Sequence, residues 1–206
     1  MRMFKRVTAV AMAAGLFFGV SGAATASAGT LAPQSSQVWL TGGDTSVTTG
    51  PGIAAALLSH GIVPLAVLPG TEGASIGGGG VAVTFGFPVT GGWVNLATLH
   101  GTIYHSGGIL LTDPSTGQQI EVSDFVISVH QGVLTAEVNG NPKARVPLLD
   151  LSLADATVHA GWDKVQISVI VLTLTGTAAS ALDTTFSTTL FTAGLELGTA
   201  STTLRY

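Results

Sequence analysis

The chain has 206 residues, no cysteine and 28 glycines, so disulfide frameworks, cysteine nucleophiles and thiolate metal centres are excluded. Charged residues make up only 9% and hydrophobic residues 46%, a balance opposite to that of disordered chains. The formal net charge of −4 argues against nucleic acid as a partner, because its binders present lysine and arginine clusters to phosphate.

The first 28 residues have the three-part layout of a secretory signal peptide. Residues 1–6 carry three basic side chains, residues 7–20 are mostly apolar, and residues 26–28 form an A-x-A cleavage pattern. The apolar run is shorter than the ~20 residues that span a bilayer. The sequence therefore predicts cleavage after Ala28 and a secreted single domain over residues 29–206, with no membrane span. Any partner is expected at the cell surface or outside the cell.

Two alanine-rich stretches predict short helices. Residues 52–60 follow Pro51 and stop at Gly61, and residues 177–186 have a similar composition. Each stretch follows a Thr-Gly pair, which fits either a faint internal duplication or a chance match between alanine-rich segments.

Strand patterns dominate the rest of the mature chain. Asn139-Gly140 is a strong hairpin signal, because both residues tolerate positive φ. The run of four glycines at residues 77–80 predicts a flexible connection to an N-terminal hairpin or helix. Strands are predicted at residues 81–89, 101–104, 109–112, 119–122, 125–129, 133–138, 145–153 and 164–175. Such short strands indicate a sandwich or barrel, and we predict an all-β fold, an antiparallel β-sandwich of immunoglobulin-like architecture with one or two short helices.

Residues that carry chemistry are sparse and scattered. No two histidines have the H-x-x-x-H spacing of a helical zinc site, and no G-x-S-x-G motif occurs. His100 and His105 flank a predicted strand at an odd offset, so we expect them on opposite faces. Asp44, Asp124 and Asp163 lie in turn-like contexts, and Asp150 and Asp155 flank the end of a predicted strand. We predict no catalytic residues, no metal site and no enzyme.

The three tryptophans, Trp39, Trp93 and Trp162, lie near predicted strand starts. Exposed tryptophans are able to form a platform for sugar rings. Packing in the core or at its rim is the commoner use of tryptophan in a sandwich, and it is the interpretation we favour from sequence.

One stretch resembles a known family. The phrases FGFPVTGG, GTIYHSGGI, VSDFVI, GVLTAEV and LLDLSL follow one another within residues 85–153. In this order they resemble the HtaA-like heme-acquisition domains of exported bacterial proteins, which have a β-sandwich scaffold. They also resemble a group of small secreted bacterial proteins that share the I-x-H-S-G-G phrase.

The HtaA-like resemblance implies heme as a ligand. In that family heme is held by a tyrosine near the start of the domain, assisted by a histidine that His105 matches. The tyrosine has no counterpart, because no tyrosine lies between Gly29 and Tyr104. Tyr104 adjoins His105, and neighbouring residues of a strand point to opposite faces.

Two functions therefore follow from the sequence. The first is a secreted, non-enzymatic β-sandwich protein with a binding or cell-surface structural role and no cofactor. The alternative is a heme-binding protein of the HtaA-like type, with His105 near the ligand.

Overall fold

The computed structural model describes residues 37–77, 80–98 and 100–206. The predicted signal peptide and its cleavage site lie outside the described residues. Neither helix of the described chain has the length and apolar character that a bilayer crossing requires.

Two short helices and thirteen strands form the described chain. The helices are α1 (Ile53–Ser59) and α2 (Gly176–Phe186), close to the predicted segments. The strands are β1 (Gln37–Trp39), β2 (Gly42–Thr49), β3 (Val63–Val67), β4 (Thr71–Gly77), β5 (Gly80–Asn95), β6 (His100–His105), β7 (Gly108–Asp113), β8 (Gln118–Ser128), β9 (Val133–Val138), β10 (Asn141–Ser152), β11 (Thr157–Ala160), β12 (Lys164–Leu174) and β13 (Glu196–Arg205).

The strands form one antiparallel sheet that closes on itself. Eight strands pair in a closed circuit, in the order β5, β2, β13, β12, β10, β9, β8, β6 and back to β5. The all-β, antiparallel part of the prediction is confirmed. The expected sandwich of separate sheets is not what the pairing shows, because β6 pairs with both β5 and β8 and makes the sheet continuous. Alternating strand patterns look the same in a sandwich and in a closed barrel, since both bury one face of each strand.

Two glycines permit the close approach of β5 and β6 where the circuit closes. A Cβ atom on Gly92 would lie 2.1 Å from the Thr102 carbonyl oxygen, and one on Gly101 would lie 2.2 Å from that of Trp93. Their φ angles of 122° and 155° also favour glycine. These glycines help to fix the register in which Trp93 lies opposite Thr102.

Several consecutive strands are joined as hairpins. Asn139 and Gly140 adopt positive φ between β9 and β10, as predicted. Strands β4 and β5 are adjacent and antiparallel, with Gly77 paired to Gly80. The predicted flexible connection between a separate N-terminal piece and the body of the fold is therefore wrong, because β4 and β5 belong to one sheet.

The apolar core fills the inside of the circuit. Its buried residues include Phe85, Leu172, Leu174 and Leu204, each of which alternates with outward-facing neighbours. Helix α1 packs against β3 and β5, and α2 packs against β8 and β10. Both helices lie at the end of the circuit where β2 and β12 finish, and together they cover the core there.

Candidate functional site

A cavity lies between the two helices and the end of the circuit. Its volume is about 210 Å³. Helix α1 contributes Ile53, Ala56 and Leu57, which share one helical face because they are three or four residues apart. Leu182 of α2 closes the opposite side. Thr49 is the single polar residue in the described lining, so the walls are otherwise apolar.

The two helices are held in different ways. Thr175 caps α2, because its hydroxyl accepts a hydrogen bond from the Ala178 N–H (3.2 Å) and donates one to the Pro147 carbonyl (2.7 Å). Helix α2 also buries four side chains, whereas α1 buries only Ala54. The N-cap of α1 is Gly52, which offers no side-chain hydrogen bond. Helix α1 is therefore the more weakly attached cover of the cavity.

His105 lies on the inner face of β6 and is only 5% exposed. Its Nε2 is 2.7 Å from the hydroxyl of Thr45, which in turn is 2.7 Å from the hydroxyl of Thr202. Thr202 donates to the Asp44 carbonyl at 3.4 Å. Both threonines are buried as well, so the imidazole ends a short chain of hydroxyl groups inside the core.

The environment of His105 keeps the imidazole neutral. Burial lowers the pKa of His105 from 6.5 to about 4, and a weaker backbone interaction with Phe125 acts in the opposite direction. Its Nδ1 makes no contact with hydrogen-bonding geometry in the described chain. A small space of about 50 Å³ lies beside the ring. Four side chains line both this space and the larger cavity, so His105 lies close below the cavity floor; they are Val47, Ile109, Leu148 and Leu149.

The residues implied by the family resemblance are only partly brought together. His105 and Tyr104 point to opposite faces as predicted, with Tyr104 48% exposed on the outside. The side chain beside His105 from the start of the domain is Thr45 and not a tyrosine. No histidine, tyrosine or methionine lines the cavity in the described part of the chain.

The remaining histidines lie on the surface. His60 follows α1 and its Nδ1 bonds the Ala56 carbonyl at 3.0 Å. His100 and His130 lie side by side on the outside, with ring centroids 4.4 Å apart. Within the described ranges no group of three or more histidine or carboxylate side chains could hold a metal ion.

Asp113 ends β7 and is hydrogen-bonded to the turn that follows it. Asp113 accepts hydrogen bonds from the hydroxyls of Ser115 (2.6 Å) and Thr116 (2.9 Å) and from the Ser115 N–H (2.8 Å). These bonds hold the pKa of Asp113 below its usual value. Asp113 is thus a turn residue, in agreement with the sequence analysis.

The residues that line the cavity and the partners of His105 were not predicted from the sequence. Thr45 and Thr202 lie in threonine-rich strands that the sequence patterns did not predict. A buried threonine carries no sequence signal that distinguishes it from a surface one. Their role appears only when β2, β6 and β13 are placed around one core.

Comparisons with known proteins point to one fold. No protein-family model matches the chain, and no curated protein sequence matches it. Among solved structures, the C-terminal domain of HtaA from Corynebacterium glutamicum is similar with a TM-score of 0.53 and 17% identity. The match covers 81% of this chain and 98% of that domain.

A second solved structure is the heme binding protein HtaB of the same organism. It has 12% identity and a TM-score of 0.44, over 82% of this chain and 95% of that one. At these identities the comparison shows similarity of fold alone. This conclusion rests on the HtaA match, whose TM-score is 0.53. The resemblance predicted from residues 85–153 is confirmed at that level: the described chain has the fold of the HtaA C-terminal domain.

Proposed function

We propose that the protein is a non-enzymatic binding protein that takes a hydrophobic small molecule into the cavity between α1 and α2. Heme is the member of this class that the family resemblance favours. The observation that carries the proposal is a cavity of about 210 Å³ whose described walls are apolar except at Thr49.

The walls of the cavity support a hydrophobic ligand. Small-molecule sites are concave and mostly apolar, and all the described lining side chains here except Thr49 are apolar. A hydrophobic guest would gain free energy by burying its own apolar surface against these walls. Helix α1, with one buried residue, is the element that would move to admit it.

The cavity has the apolar walls that heme requires, but its described lining has no ligand for the iron. The apolar walls suit a porphyrin ring, whose faces are hydrophobic. The iron needs an axial ligand, and none of the described lining residues is a histidine, tyrosine or methionine. The nearby His105 is buried, and its Nε2 is already bonded to Thr45. The apolar side chains therefore suit the faces of the macrocycle but supply no bond to the iron. The volume of about 210 Å³ is below the ~300–1,000 Å³ of usual ligand sites, so α1 would have to move aside for heme to enter.

The fold likeness alone does not give the ligand, because one fold serves many functions. What supports heme is the conjunction of that fold with the sequence phrases around His105 and with an apolar cavity close above it. The non-enzymatic part of the proposal rests on the sequence, which has no nucleophile–base motif. Secretion rests on the leader pattern in residues 1–28, and the intact mass of the exported protein should correspond to a start at Gly29.

A titration tests the proposal. The protein is titrated with hemin, with iron-free protoporphyrin IX and with a fluorescent fatty acid. We expect hemin and protoporphyrin to bind with similar affinity, since apolar contact and not iron ligation holds them. Leu57→Trp, which fills the cavity, should weaken binding by about tenfold or more, a loss of at least ~1.4 kcal/mol.

Leu58→Trp is the matched control, because Leu58 is 52% exposed and absent from the cavity lining. Its affinity should equal that of the parent. If the protein binds the fatty acid but neither tetrapyrrole, heme is wrong as the ligand and the proposal of a hydrophobic ligand stands. Failure of all three probes would overturn the whole proposal. A Soret band that shifts in His105→Ala would contradict our conclusion about the iron.

A further inference from the structure

A group of exposed aromatic side chains lies on the outer face of β1, β5 and β6. Trp39 of β1 is paired with Trp93 of β5, and Trp93 is paired with Thr102 of β6. Residues paired directly across antiparallel strands have their side chains on the same face, about 5 Å apart. Tyr104 lies two residues beyond Thr102 and therefore on the same face.

The burial pattern shows that this face is the outside of the circuit. Gly101, Ile103 and His105 of β6 are buried, and Tyr104 between them is 48% exposed. Trp39 is 68% exposed. Trp93 is half-buried beside Val94, which belongs to the core.

Uncharged polar side chains surround the aromatic rings. One pairing row contains Gln37, Asn95 and His100, and His100 touches His130 of the neighbouring chain segment. Ser128 of β8 is paired with Thr102, in the row that also contains Trp39 and Trp93. None of these positions carries an aspartate, glutamate, lysine or arginine. We call this set the aromatic face; it comprises Gln37, Trp39, Trp93, Asn95, His100, Thr102, Tyr104, Ser128 and His130.

The position of the aromatic face separates it from the cavity. Helix α1 follows the end of β2 at Thr49, whereas Trp93 lies beyond the other end of the β2–β5 pairing, which finishes at Asp44 and Pro88. The aromatic face thus lies on the outside at the end of the circuit away from the helices. Its function is independent of any ligand held between α1 and α2.

We propose that the aromatic face binds a neutral polysaccharide. Aromatic rings stack on the C–H faces of pyranose sugars, and amide and hydroxyl groups bond the sugar hydroxyls at their edges. Trp39 and Tyr104 are two strands and two residues apart, about 12 Å in sheet geometry, which leaves room for two sugar rings side by side. The lack of charge on this face selects against anionic polymers, which need basic side chains.

Two of the three tryptophans are more exposed than the sequence predicted. Packing in the core or at its rim was expected for all three. The half-buried Trp93 agrees with this, but Trp39 is largely exposed and Trp162 is 98% exposed. Trp162 lies in the turn between β11 and β12, and no strand pairing joins it to Trp39 or Trp93. It provides an exposed tryptophan outside the aromatic face.

Gel retardation tests this proposal. The protein is run in native gels that contain β-1,4-glucan, xylan, α-1,4-glucan or galactomannan, with an anionic polysaccharide as the negative control. At least one neutral polymer should retard the parent protein. Trp39→Ala and Tyr104→Ala should each weaken that retardation about tenfold or more. Both side chains are well exposed, so these variants should keep the parent's unfolding midpoint.

Trp162→Ala is the matched control and should be retarded like the parent. Absence of retardation by all four neutral polymers would overturn the proposal, as would equal retardation of the Trp39 and Tyr104 variants. Phosphatidylcholine vesicles form a separate arm. Vesicle binding that depends on Trp39 without polysaccharide binding would show a membrane-surface site instead.

Discussion

His105 illustrates how a polar residue is kept inside an apolar core. Its Nε2 is bonded to Thr45, and the bond from Thr45 to Thr202 continues the chain of hydroxyl groups. The neutral imidazole is able to hold its proton on either nitrogen, and the hydroxyls can turn to match. A charged imidazolium would have to be desolvated in the same place, which burial makes costly.

This burial predicts a loss of stability in mild acid. The pKa of His105 is about 4 in the folded protein and near 6.5 in the unfolded chain. Between these values the unfolded chain binds the proton and the folded protein does not, so the free energy of unfolding falls as the pH falls. Because of this residue, the free energy of unfolding should be about 3 kcal/mol lower at pH 4 than above pH 6.5.

Urea unfolding at pH 7.5, 6.5, 5.5 and 4.5 measures this effect. His105→Gln should remove most of the decline, although the variant itself is expected to be less stable at neutral pH. His159→Gln, at an exposed position of β11, should keep the parent's pH dependence. A decline of equal size in His105→Gln would show that other groups cause it.

The sequence predicted the face of His105 but not its partners. Alternation along residues 100–105 was enough to place His105 opposite Tyr104. Thr45 is 60 residues away and comes from a strand rich in glycine and threonine. No local pattern links the two, because their contact depends on the long-range pairing of β2, β5 and β6.

At the scale of elements, the two helices resemble each other in sequence and differ in attachment. Both follow a Thr-Gly pair, yet only Thr175 acts as a cap. Thr49 instead accepts a hydrogen bond from the Val83 N–H, within the sheet. Their lengths were predicted well, since proline, glycine and alanine are local signals. Their common position over one cavity was not, because it depends on the ends of β2 and β12.

The cap gives a prediction for α2. Thr175→Ala removes a hydroxyl that accepts from the Ala178 N–H and donates to the Pro147 carbonyl. We expect the free energy of unfolding to fall by about 1 kcal/mol, within the range of lost N-caps. Thr177→Ala, an exposed change inside the same helix, should leave stability unchanged or raise it slightly. Chemical denaturation of the three proteins decides the matter; a loss at Thr177 equal to that at Thr175 would contradict the cap.

At the scale of the whole molecule, closure of the sheet divides the strands into two kinds. The eight strands of the circuit have partners on both sides, whereas β1, β3, β4 and β11 each pair with one neighbour. Strand β7 lies outside the circuit and joins β3 to β8. Every residue of β4 and β11 is exposed. The sequence predicted several circuit strands correctly, because they alternate strongly. It gave no information on which strands lie at an edge, because edge and central strands share the same local pattern.

Hydrogen exchange should reveal this division directly. Amides of the circuit, such as those of Leu172 and Leu204, open only in global unfolding and should be the slowest. Amides of β4 and β11 open locally and should exchange faster by about a hundredfold or more. Helix α1, with one buried residue against four in α2, should exchange faster than α2. Mass spectrometry of peptic fragments resolves all of these segments.

Protection of β4 equal to that of β12 would contradict its place at the edge. Protection of α1 equal to that of α2 would contradict its role as the moving cover, since a weakly attached helix must open more often than a well-packed one.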